Sequence, residues 1–153
     1  MKISALNEGV SLIANIGVIG SIVFLGLEMR QNTEMMQSQT RNSIVENQLS
    51  VYEKMIENPE LFDIADKRSA NLDVADAERQ QLHVFILSQL RIWENEFYQY
   101  QIGLYAAEEF EARKIWWGKI MRRPVNLQTW RFEEETFYPD FRIYMNELLD
   151  EIS

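Results

Sequence analysis

Residues 9–27 read GVSLIANIGVIGSIVFLGL, nineteen consecutive positions without a charge, closed off by Glu8 on one side and by Glu28 and Arg30 on the other. As a helix this run is roughly 28 Å long, against a hydrocarbon core of about 30 Å. Eleven of its side chains are Val, Leu, Ile or Phe, which together favour insertion by roughly 5 kcal/mol. Four glycines, two serines and Asn15 offset much of that. The sequence therefore predicts a membrane anchor, inserted by a narrow margin. A cleaved signal peptide is disfavoured, because the run is long and no small-x-small cleavage site clearly follows it. The competing reading is the core helix of a soluble bundle. A small domain has little room to surround a helix that is apolar on every side.

Flanking charge predicts the orientation. Lys2 is the only basic side chain before the run, whereas Arg30 and Arg41 follow it, which favours a cytoplasmic C-terminus. Within the run, Gly17 and Ser21 form a small-xxx-small pair with Gly20 beside them, and Asn15 is placed to hydrogen-bond across a helix pair. Such spacing lets two membrane helices approach closely and predicts a homo-oligomer. Against that stands the general abundance of glycine in membrane helices.

Past Glu28 nothing interrupts a helix until Pro59. Residues 29–43 are polar on all sides apart from methionines. An apolar stripe then begins with Ile44, Val45, Leu49, Tyr52, Met55 and Ile56, a spacing that turns one helix face toward a core. The expected organisation is an anchor over 1–28, a helical stalk over 29–58 and a soluble domain over 59–153.

The soluble part is expected to be all-α, a small bundle of four to five helices. Asn58-Pro59-Glu60 reads as a helix start, with Asn58 as cap and Leu61, Phe62 and Ile64 inward. Asp73, with Asp76 three residues on, predicts the cap of the longest soluble helix. Its inward stripe is Leu82, Ile86, Leu90, Trp93, Phe97, Tyr100 and Leu104, and Gly103 is placed to stop it. A further helix spans about 107–123, acidic at its start (Glu108, Glu109, Glu111) and basic at its end (Arg113, Lys114, Lys119, Arg122, Arg123). That sign change suits the helix dipole. Trp116 and Trp117 among those basic residues allow two readings, core tryptophans or an interfacial patch on an anionic leaflet, and the first is favoured. Pro124 with Asn126 opens the next helix, which holds Trp130 and Phe132. Pro139 opens the last, with Phe141, Tyr144, Leu148 and Ile152 on one face.

The order of these features resembles a family of small, functionally uncharacterised proteobacterial proteins with a single membrane-spanning helix. The likeness rests on Arg30-Gln31-Asn32-Thr33 after the apolar run, on Glu94, Asn95, Tyr98, Gly103 and Leu104 in the central helix, and on Trp130 and Tyr138-Pro139-Asp140-Phe141. It implies an inner-membrane helical protein. It brings no activity and no site residues.

Composition narrows the chemistry. The net charge of −9 repels phosphate backbones, so no nucleic-acid partner is expected. The absence of cysteine rules out disulfides, thiol catalysis and thiolate metal sites. A lone histidine, His83, cannot supply a di-iron bundle or a usual catalytic zinc site, and a structural role is expected for it. No glycine loop suited to cradling phosphate is present. No enzyme activity, cofactor or metal is expected. The one acid–base candidate is a partly buried polar cluster at Glu94, Asn95 and Tyr98, with Glu96 and Tyr100 on a neighbouring face. Buried polar groups of this kind more often fix helix packing than perform catalysis.

Three function classes follow. The first is a membrane-anchored, self-associating scaffold that binds a protein partner. The second is an oligomeric pore lined by Ser11, Asn15 and Ser21. The third is a small-molecule sensor with a pocket near Glu94 and Tyr98.

Overall fold

The computed structural model describes residues 2–152, with side chains from Glu8 onward. Among the described residues there is no strand; the chain is all-α. The helices are α1 (Lys2–Glu57), α2 (Glu60–Ser69), α3 (Asp76–Gln101), α4 (Ala107–Met121), α5 (Pro124–Glu133) and α6 (Pro139–Ile152), with one 3₁₀ turn at Glu134–Thr136. Prolines mark three of these boundaries, at 59, 124 and 139, since none can sit in a helix interior without losing a hydrogen bond.

The chain divides into two compact units, 1–39 and 40–153. The first consists of α1 residues, exposed from Glu8 through Gln39. The second begins well before the sequence-predicted boundary at 59, because the last turns of α1 are part of its core. Ile44 and Val51 are buried there. Val45, Leu49, Tyr52 and Ile56, expected on the same inward face, are 41–79 % exposed. The physical reason is angular. Positions 44, 48, 51 and 55 make one stripe, and 45, 49, 52 and 56 make another about 100° around the helix. Only the first meets the bundle.

α3 is the central helix of the second unit and packs against α2, α4, α5 and α6. Leu82, Ile86, Leu90, Trp93 and Phe97 are buried along it. Around them the aromatic rings interlock. Trp93 stacks on Trp117 at 5.3 Å, Phe97 meets Phe141 at 5.6 Å, and Phe141 meets Trp130 edge-on at 5.8 Å. Such pairs add about 0.5–1.5 kcal/mol each beyond burial. Trp117 is fully buried and Trp116 lies edge-on to Trp93 at 6.0 Å, which favours core tryptophans over an interfacial patch. Gly118 is buried where α4 faces α6, and an added Cβ there would make ordinary contact with the Ile152 side chain at 3.4 Å.

The helix ends differ in detail from the sequence reading. Asn58 does not cap α2; its amide donates back to the Lys54 carbonyl at 2.9 Å and so closes α1. Asp73 does not cap α3 either. Ala75 precedes the helix, and Glu78 reaches back to accept its N–H at 2.9 Å. Phe62 is 41 % exposed while Leu61, Ile64 and Ala65 are buried.

Gly103 ends α3 as expected. At φ +75° it lets Leu104 N–H reach Gln99 O at 2.9 Å and its own N–H reach Tyr100 O at 3.0 Å, the paired bonds of a Schellman stop. Asn71 (φ 55°) ends α2 in the same way, with Leu72 N–H on Lys67 O at 2.8 Å.

Gly103→Ala is expected to destabilise the fold by about 1 kcal/mol, because alanine resists positive φ. Asn71→Gly should be neutral or slightly stabilising. Urea unfolding followed by tryptophan fluorescence measures both.

Candidate functional site

The stripe Trp93, Phe97 and Tyr100 fixes which polar groups α3 carries inward. Glu96 lies three residues after Trp93 and four before Tyr100, about 60° from Trp93 and about 40° from Tyr100 around the helix, so it falls on the edge of that stripe. Glu94, Asn95 and Tyr98 are displaced from Trp93 by about 100°, 200° and 140° around the helix. The buried carboxylate is accordingly Glu96, at 0 % exposure. Asn95 is exposed, Tyr98 is 50 % exposed and Glu94 is half-buried. The expected buried cluster at 94, 95 and 98 is thus corrected to one centred on Glu96.

Glu96 is held from two other helices. Arg113 of α4 donates its Nε–H to both carboxylate oxygens, at 3.2 and 2.9 Å. Gln48 of α1 donates to Oε1 at 3.0 Å. The Arg113 guanidinium also lies over the Trp116 ring, 4.4 Å from its centre. Burial raises the Glu96 pKa above the ordinary value of 4.5, and the Arg113 charge and the hydrogen bonds only partly offset that. The Trp117 indole N–H is buried on the same side and aimed at Glu96, outside good hydrogen-bond geometry but close enough to favour its charged form. Tyr105, beside the cluster, is pushed up by burial and then by the Glu96 charge. The arrangement is a polar knot within an aromatic core; a very small cleft lined by Gln48, Trp93, Arg113 and Trp116 adjoins it.

Glu94 has a different task. Its Oε1 accepts the Tyr138 N–H at 2.7 Å and its Oε2 accepts Arg91 Nη1 at 2.9 Å. Arg91 in turn donates to the Thr136 carbonyl at 3.1 Å and lies 3.9 Å over the Phe137 ring. Two short motifs 44 residues apart, Glu94-Asn95-x-x-Tyr98 and Tyr138-Pro139-Asp140-Phe141, therefore meet at the start of α6. The Tyr138 hydroxyl donates to Asp140 at 3.1 Å, and that bond raises its pKa. This is a docking joint between helices.

The remaining candidates lie elsewhere. In the apolar run, Gly17 and Gly20 have nothing within 4 Å of an added Cβ. The Ser21 hydroxyl donates to Gly17 O at 2.8 Å within its own helix, so the small face carries no free hydroxyl hydrogen there. Asn15 is exposed beside it. His83 Nε2 sits 3.0 Å from Glu133 Oε1, with its ring edge-on to Phe132. Among the described residues, no three His, Cys, Asp or Glu side chains gather into a metal site.

The largest described cavity, about 490 Å³, was not legible in the sequence. It is a groove between the end of α2, the first turns of α3 and one face of α5. Neither Glu94 nor Tyr98 lines it.

Comparison with protein-family models, with curated proteins and with solved structures finds no significant match.

Arg113→Met should cost about 3–5 kcal/mol, because it strands a buried carboxylate. Adding Glu96→Gln should recover part of that loss. The pH dependence follows from the sign of the shift. Folded Glu96 holds its proton more tightly than unfolded Glu96, so stability falls as pH rises from about 4.5 through the raised folded value. Unfolding midpoints measured across that range should lose this slope in Glu96→Gln.

Proposed function

We propose that this chain is a membrane-anchored helical interaction module that self-associates, held in a bacterial inner membrane by residues 9–27 with residues 40–153 on the cytoplasmic side. The observation that carries this reading is the exposure of the apolar run. Its eleven large aliphatic and aromatic side chains, from Val10 to Leu27, are each 55–72 % exposed. An 18-residue window of this helix has a mean hydropathy of 2.2, and none of that window is buried. Soluble monomers rarely leave so large an apolar surface in water. The core-helix alternative would require this stripe to pack inside the bundle, whereas Trp93, Trp117, Phe97 and Phe141 already fill a core without it. The basic bias of Arg30 and Arg41 supports the same placement.

Self-association has two supports. The Gly17, Gly20 and Ser21 face offers close approach. In the second unit, α1 leaves Val45, Leu49, Tyr52 and Ile56 exposed, alternating by four and three residues as the d and a positions of a coiled coil do. Asn42 falls at the preceding a position, where an asparagine fixes a parallel two-stranded register at a cost in stability. In that register Arg41 of one copy faces Glu46 of the other, a pairing of opposite charge between flanking positions that would compete with the exposed Arg41–Glu109 ion pair within the chain, 2.8 Å. The partner that fits this face is a second copy of the chain.

Alkaline carbonate extraction of membranes should leave the chain in the pellet. Because the sequence has no cysteine, single substitutions report contacts cleanly. Leu49→Cys and Tyr52→Cys should form disulfide-linked dimers on mild oxidation, whereas Asn47→Cys, on the opposite side of α1, should not. Gly17→Ile combined with Ser21→Ile should lower the dimer fraction. Release into the soluble extract as a monomer refutes the anchor. Equal cross-linking at 47 and 49 refutes the parallel face.

A further inference from the structure

The groove between α2, α3 and α5 is built like a ligand site. Its volume of about 490 Å³ lies in the range of small-molecule pockets, about 300–1,000 Å³. Leu82, Val125 and Thr129 lie buried along its floor. Phe132 stands on its wall at 79 % exposure, although it lies one turn along α5 from the buried Thr129 and two residues from the buried Trp130. Among the described residues its one ring contact is edge-on to His83, which also lines the groove.

The rim sets two arginines, Arg68 and Arg79, beside one carboxylate, Asp76. The Arg68 guanidinium donates to the neutral Gln128 amide oxygen at 2.8 Å and makes no ion pair among the described residues. Arg79 reaches the Val74 carbonyl at 3.4 Å and is ion-paired with Asp73 at 3.7 Å and Asp76 at 4.0 Å, both carboxylates being fully exposed and screened by solvent. A guanidinium carries five N–H donors, so Arg68, with one neutral partner, keeps most of its capacity, and Arg79 can exchange its solvent-exposed carboxylates for a ligand's. Asp76 also lines the groove and penalises a ligand of double negative charge.

We propose that this groove binds an amphipathic monoanion, a carboxylate carried on a flat apolar body of one or two rings. The body packs on Leu82, Val125 and Phe132, and the carboxylate meets the guanidinium rim of Arg68 and Arg79, whose planar forks match it in geometry. This inference is independent of the membrane anchor and of self-association, since every residue it uses lies between 68 and 132.

The test is calorimetric titration of the full chain in lipid nanodiscs, with empty nanodiscs as the blank. The probes are 2-naphthoate, 2-naphthol as its neutral counterpart, and acetate as an anion without a body. The expected result is saturable 1:1 binding of 2-naphthoate, with 2-naphthol and acetate much weaker. Arg68→Gln, Arg79→Gln and Phe132→Ala should each weaken naphthoate by about tenfold. Lys119→Gln, in a separate groove lined by Lys114 and Glu151, should leave it unchanged. All four sites face solvent at least in part, and circular dichroism melts confirm that the variants are folded. Absence of saturation, equal affinity for 2-naphthol, or arginine variants that bind as wild type each overturn the proposal.

Discussion

The second unit is organised around a charge placed where charge is least welcome. Glu96 sits at 0 % exposure in a core of tryptophan and phenylalanine, and it is tolerable only because Arg113 grips both of its oxygens and Gln48 reaches one of them. A buried pair of this sort adds little net stability, since desolvation consumes most of the attraction. Its effect lies in discrimination among packings. Any slip of α4 that removes Arg113, or of α1 that removes Gln48, leaves a buried carboxylate unpaired or under-satisfied. Three helices are thereby held in one register by one side chain.

Apolar packing then divides the work. Rings from α3, α4, α5 and α6 interlock about Trp93, Trp117 and Phe141, which satisfies the core without help from the first forty residues. That completeness is why the apolar surface along α1 points to something outside the polypeptide. The same helix presents one stripe to its own bundle and a second to solvent, and only the second is free to recruit a neighbour.

Much of the architecture was legible in the sequence because its signals are local. Proline at 59, 124 and 139 and glycine at 103 punctuate the chain, and a period of 3.6 picks out the α3 stripe. Where the reading strayed, two local rules competed. Asn58 serves the helix behind it rather than the one ahead, and Glu78 reaches back to Ala75 while Asp73 stays in solvent. The stripe on α1 mixed two faces because Ile44-Val45 and Met55-Ile56 are adjacent apolar pairs, and hydropathy alone does not say which member turns inward. Glu96 was within reach of the same periodicity that selected Trp93 and Tyr100. The choice of Glu94, Asn95 and Tyr98 followed a short motif, and that motif marks the joint with α6. The groove had no such signal, since Arg68, Arg79 and Phe132 come from three separated helices and only tertiary packing assembles them.

The Gln48–Glu96 hydrogen bond has a consequence for the order of events at the ribosome. Its two partners are 48 residues apart, and translation at about 5–20 residues per second separates their emergence by several seconds. During that interval Ile44 and Val51 are already made while the helices that will cover them are not. Neighbouring nascent chains on one messenger would meet with that surface uncovered, so timing as well as geometry bears on which contacts α1 makes first.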